Sequence, residues 1–164
     1  DKNVQLLASG SIVNEALEAS ELLYKDWGIS STLWSVTSYS ELHKEAEDIH
    51  RWNNLNPSKK PKNSYLDSCL NDKYPVIAVS DYVKLVSEQI SAYVKPHFTA
   101  LGTDGFGRSD TRKELREFFE INRYYIVITA LNSLVKTNKI KPDILEKAIK
   151  KYNIDPNKKN PLKV

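Results

Sequence analysis

The sequence predicts an α/β domain with a mostly parallel sheet, and three observations lead there. Short apolar runs alternate with polar stretches of helical periodicity. One of those runs, PVIAVS at 75–80, has the composition of a fully buried strand. The 164 residues, 40% hydrophobic and 27% charged, suit one domain with one core, residues 1–164.

From the amino end, VQLLA (4–8) is a strand that stops at Ser9-Gly10. Ser11 is placed to cap a helix whose stripe is Val13, Ala16, Leu17, Ser20, Tyr24 and Trp27, and Gly28 stands where helices end. STLWSV (31–36) is the second strand, followed by a long polar helix over 40–54. NPSKKPKNS (56–64) is loop by its Pro, Asn and Ser content, and a short helix spans 66–70. After PVIAVS an amphipathic helix covers 82–94, closed by Pro96, and HFTAL (97–101) is the fourth strand. The rest reads as helices over 111–120, 124–137 and 142–152; Pro142 suits a first turn, where its missing N–H costs nothing. YYIVIT (124–129) has strand composition, but ALNSLVK carries the apolar pattern past strand length, which favours helix.

Bulk properties exclude several classes. No apolar run approaches the roughly 20 residues of a membrane span, and DKNVQLLASG lacks the order of a signal peptide. The net charge of +3 comes largely from the tail KYNIDPNKKNPLKV. Elsewhere bases alternate with acids, as in ELHKEAED and TRKELREFFE, the pattern of solvated faces rather than of a nucleic-acid-binding stripe. The single cysteine, Cys69, permits no internal disulfide and points to the cytoplasm. The chain contains no methionine, so it reads as an excised piece of something larger.

Three of the five glycines, Gly102, Gly105 and Gly107, fall within six residues, directly after the fourth strand. Glycine permits positive φ or close approach, and loops at the carboxyl ends of parallel strands meet ligands and partners. Gly-x-Gly here lacks the third glycine of a dinucleotide loop and follows the last strand rather than the first, so phosphate is disfavoured. His43, Glu47 and His50 share one helix face, but that face is otherwise charged and reads as solvated. Cys69, in SYLDSCL, reads as a small buried hydrophobe, and no serine lies in Gly-x-Ser-x-Gly. Asp104 and Asp110 flank Arg108 and read as its ion-pair partners, with Asp110 capping the helix after it. Trp27, Trp34 and Trp52 read as core or interface anchors. No catalytic, cofactor-binding or metal-binding residue is assigned. The candidate site is an interface loop: Gly102, Asp104, Gly105, Phe106, Gly107, Arg108 and Asp110. In it Phe106 is pushed outward as an apolar anchor, and Arg108 is a planar multi-donor group suited to pairing at an interface.

The run LGTDGFGRSDTRKELREFFE (101–120), with YYIVITALNSLVK, KYNIDPNKKNP and VQLLASGSI, resembles the carboxyl-terminal end of the homodimeric bacterial pyruvate dehydrogenases. Transketolases, more distant relatives, carry only a looser Asp-x-Phe-Gly. The resemblance implies a transketolase-like, three-layer α/β/α sandwich. It implies four parallel strands in the order 2-1-3-4, with the family's short antiparallel first strand preceding this chain. In the full enzyme it implies thiamine diphosphate and magnesium bound by other domains, and none of those ligands maps here. The implied partners are those domains, the second subunit, and the dihydrolipoamide acetyltransferase whose lipoyl group is acetylated. A stand-alone protein-binding module, an independent enzyme with a diffuse site, and another transketolase-like thiamine enzyme are the alternatives.

Overall fold

The computed structural model describes residues 2–164. Its strands are β1 (Asn3–Ser9), β2 (Ser30–Ser35), β3 (Val76–Ser80) and β4 (Phe98–Leu101). They form one parallel sheet in the order β2-β1-β3-β4, the order the resemblance implied. Leu6 lies beside Leu33 and Ile77, and Leu7 beside Trp34 and Ala78. All five residues of β3 are buried, because helices cover both faces of the sheet.

Period-two alternation divides the core in two. Val4, Leu6, Ala8, Ile77 and Val79 face one apolar cluster, while Leu7, Val76 and Ala78 face the other. On the first face pack α1 (Val13–Trp27), α6 (Arg123–Lys136) and α7 (Pro142–Lys151). On the second lie α2 (Tyr39–Leu55), α3 (Tyr65–Cys69) and the single turn α4 (Leu85–Glu88). Helix α5 (Arg112–Phe118) follows the glycine loop. The result is the expected three-layer sandwich.

Helix α6 is helical as its length implied, with Ile126, Val127, Leu131 and Leu134 buried on the sheet. Each such side chain contributes about 1.5–3 kcal/mol on leaving water. Asn122 caps it by accepting the amides of Tyr124 and Tyr125. Pro142 opens α7 as predicted, and Gly28 ends α1 at φ 62° with the Ile29 amide donating to the Leu23 carbonyl.

Three local expectations fail. Ser11 does not cap α1. It sits in a 3-10 turn, Gly10–Ile12, and its hydroxyl donates to Asp81 instead. The buried stripe of α1 is Ala16, Ala19 and Leu23, while Leu17 and Tyr24 face out. The close packing of α6 against α1 favours the small residues on that side. The helix over 82–94 is broken into α4 and a 3-10 turn, Ser91–Tyr93. Its first backbone groups are taken by the glycine loop: the Thr103 amide donates to the Tyr82 carbonyl, and the Lys84 amide to Asp104. Ser87 and Gln89 then hydrogen-bond to nearby carbonyls, and Ile90 turns into the core.

Candidate functional site

In an open parallel sheet the crevice for a ligand opens at the carboxyl ends of neighbouring strands whose connections leave on opposite faces. Here those strands are β1 and β3, since α1 lies on one face and α4 on the other. The crevice holds an arginine of the chain itself. Arg116, on α5, is 7% exposed. Its Nε and Nη2 donate to the two carboxylate oxygens of Asp81, at 3.2 and 2.9 Å, immediately after β3. Nη2 also donates to the Ser11 hydroxyl, just after β1, at 3.0 Å. A planar fork matched to one carboxylate is the geometry arginine serves best.

The network continues to Glu15, 3.6 Å from Arg116, which accepts both the backbone amide and the guanidinium of Arg123. Burial pushes the Glu15 carboxyl up, but Arg123's hydrogen bonds and charge, with the charge of Arg116, outweigh it and hold the carboxyl below its usual range. TRKELREFFE is therefore not a wholly solvated face. Its sixth side chain, Arg116, ties α5 to the ends of β1 and β3 and to Glu15 on α1, which in turn holds Arg123 of α6.

The glycine loop runs from the end of β4 to α5. Its glycines accommodate the chain's own backbone. A Cβ on Gly102 would lie 2.5 Å from the Tyr82 carbonyl oxygen and 2.7 Å from the Lys84 nitrogen. Gly105 has φ +113°, and a Cβ there would lie 2.7 Å from the Pro161 carbonyl oxygen. Gly107 meets nothing, so the loop's path does not depend on it. Phe106 points outward and is 79% exposed, as predicted.

The charged residues of the loop are placed differently from expectation. Arg108 pairs with neither aspartate; its guanidinium lies over the Phe118 ring at 4.2 Å. Asp104 accepts the Lys84 amide and Asp110 the adjacent Thr111 amide. Both carboxylates are satisfied by backbone, which leaves the arginine to stack. The cap of α5 is Thr111, which accepts from Glu114, rather than Asp110.

Glu47 and His50 are exposed, as a solvated face predicts, while His43 is half-buried. His43 is hydrogen-bonded to the Gln89 carbonyl, Glu47 accepts the Tyr93 hydroxyl, and His50 meets the edge of the Tyr93 ring. Among the described residues no group of three or more His, Cys, Asp or Glu is placed to hold a metal ion. Cys69 is half-buried rather than buried, and it lines an apolar groove of about 600 Å³ with Trp34, Tyr65 and Leu66. Trp27 donates to Tyr152, which donates to Asp26. Trp52 lies under Lys62 at 4.1 Å, so it anchors the 56–64 loop. Sequence reasoning missed the Arg116 network. The only available signal was an arginine at the helix position that faces the strand ends.

Comparison with known proteins places the chain. The profile of the transketolase-like C-terminal domain matches residues 1–122. The pyruvate dehydrogenase E1 component of Pseudomonas aeruginosa is 49% identical over 162 residues, 98% of this chain and 18% of that protein. The E1 component of Escherichia coli K12 is 46% identical over 159 residues, 96% of this chain and 18% of that protein. This chain thus spans about a fifth of these relatives, matching their carboxyl-terminal part. A solved split-gene transketolase, an inactive β4 tetramer, superposes with TM-score 0.55 at 16% identity, over 82% of this chain and 40% of that one, which shows the fold. No helix among the described residues is long and apolar enough to cross a membrane. A profile match over most of the length and near-half identity to one set of relatives agree: the chain belongs to the transketolase-like C-terminal domain family.

Proposed function

We propose that this chain acts as one domain, residues 1–164, at the carboxyl-terminal end of a thiamine diphosphate-dependent pyruvate dehydrogenase. The observation that carries this reading is identity of 46–49% sustained over 96–98% of the chain to E1 components. The whole enzyme would be a cytoplasmic homodimer. It would decarboxylate the pyruvate delivered by glycolysis and acetylate the lipoyl group of a dihydrolipoamide acetyltransferase.

Thiamine diphosphate and magnesium would be held by the other domains. The residues here do not fit them. Arg116 and Asp81 fill the strand-end crevice, and Asp104 and Asp110 are committed to backbone amides. No step of the chemistry is therefore assigned to these residues. The domain's own part is structural: the loop Gly102, Asp104, Gly105, Phe106, Gly107, Arg108 and Asp110 packs against a neighbouring domain or the second subunit. Support comes from the exposed Phe106 on a loop braced by its own chain.

The test separates domain from enzyme. A cofactor that bound the native domain at a hundredfold its Kd would add about 2.7 kcal/mol of stability. Thermal melts of the isolated chain should therefore stay flat as thiamine diphosphate and magnesium are added, while the full-length protein turns over pyruvate. A clear rise in the isolated chain's melting temperature, or a full-length protein inert towards pyruvate, overturns the reading.

A further inference from the structure

Five of the eleven exposed large hydrophobics among the described residues fall in three short segments. They are Tyr82, Val83 and Leu85 in the turn after β3, Phe106 in the glycine loop, and Leu162 in the turn Pro161–Lys163. These segments are distant in sequence but touch through backbone. Gly102 packs on the carbonyl of Tyr82 and the amide of Lys84, and the Thr103 amide donates to Tyr82. Gly105 packs on the carbonyl of Pro161 and the Cα of Leu162. The tail is itself pinned, because Lys158 donates to the Phe118 carbonyl at the end of α5, at 3.0 Å, and Pro161 is buried. Side-chain-free positions at 102 and 105 are what let the three pieces meet, so their apolar side chains share one rim of the carboxyl edge.

We infer that these residues form a single docking patch whose occupant is the remainder of the same full-length polypeptide. The inference rests on the reading above and extends it from one loop to a composite surface. Two observations select the occupant. The relatives are longer than this chain by the margin that an 18% share implies, so on that reading most of the polypeptide lies outside it. The patch is also too small for a second copy to use alone. Five partly exposed side chains make a patch on the scale of a few hundred Å² at most, against about 800 Å² per partner in a stable interface. A larger body can cover the patch and its polar surroundings together. Tyr24, 69% exposed in the last turn of α1, which runs back from the carboxyl edge of the sheet, serves as the control.

The experiment uses the full-length enzyme with Cys69→Ser as background and one of Leu85→Cys, Phe106→Cys, Leu162→Cys or Tyr24→Cys added. Maleimide labelling is followed peptide by peptide by mass spectrometry. At 85, 106 and 162 labelling should be about tenfold slower than at 24 or more, because a covered thiol waits for local opening. Labelling at all four positions with equal speed overturns the patch. Cross-linking of Leu162→Cys to the same position in a second subunit overturns the choice of occupant. Pyruvate turnover by the unsubstituted full-length protein is read separately, so an active enzyme with open thiols sinks the patch alone.

Discussion

Arg116 makes the most consequential contacts of any single side chain here. It is buried where the fold would otherwise open a crevice, and it joins the ends of β1 and β3. Removing one partner of a buried pair costs about 3–5 kcal/mol, because the other is left unpaired. Asp81 is partly exposed and Glu15 keeps Arg123, so Arg116→Ala should cost about 3 kcal/mol, the lower end of that range, by denaturant melts. Glu15 gives the pH dependence. Its folded pKa lies below the ordinary 4.5, so the stability it contributes is full above that value and is lost as pH falls through the lowered one. The gap in stability between the native chain and Glu15→Gln should therefore shrink on acidification below about pH 4.5. A gap that widens in acid would mean the carboxylate is not favoured in the folded state. Gly105→Ala meets both a positive φ and a backbone oxygen, and should cost about 1–3 kcal/mol; Gly107→Ala should cost less than half of that.

At the scale of elements, strand β3 is the centre of the molecule and α6 its largest cover. Ile77 has no exposed surface, so Ile77→Ala leaves a cavity and should lower stability by about 2–5 kcal/mol. An unmoved denaturation midpoint would mean the sheet is wrongly ordered. Asn122 accepts two amides at the start of α6, and Asn122→Ala should cost about 1 kcal/mol. The turn after β3 shows the opposite balance. There Tyr82 and Lys84 give their backbone groups to the glycine loop, and a helix predicted from periodicity survives as one turn.

Across the whole molecule, two apolar clusters on opposite faces of one sheet leave an edge where the glycine loop, the β3 turn and the tail meet. A core of this extent in a 164-residue chain should be enough to fold alone. One cooperative unfolding transition should follow, seen identically by circular dichroism and by tryptophan fluorescence. Two separated transitions would divide the chain into more than one unit.

The chain alone made the strands, most helices and the fold class legible, because buried strands and amphipathic helices write their periods into it. It also determined the family, through GTDGFGRSD and its neighbours. How the loop's residues are used became legible in the folded molecule alone. That Arg116 faces the strand ends, that Arg108 stacks on Phe118 rather than pairing with Asp104 or Asp110, and that Gly105 makes room for Pro161 all depend on segments brought together from far along the chain. The rotation of α1 belongs with them: Leu17 and Tyr24 fit its apolar pattern as well as Ala19 and Leu23 do, and the closeness of α6 selects the smaller face. Local pattern carries a period, but which phase of it is buried, and which charge finds which partner, is settled by long-range packing.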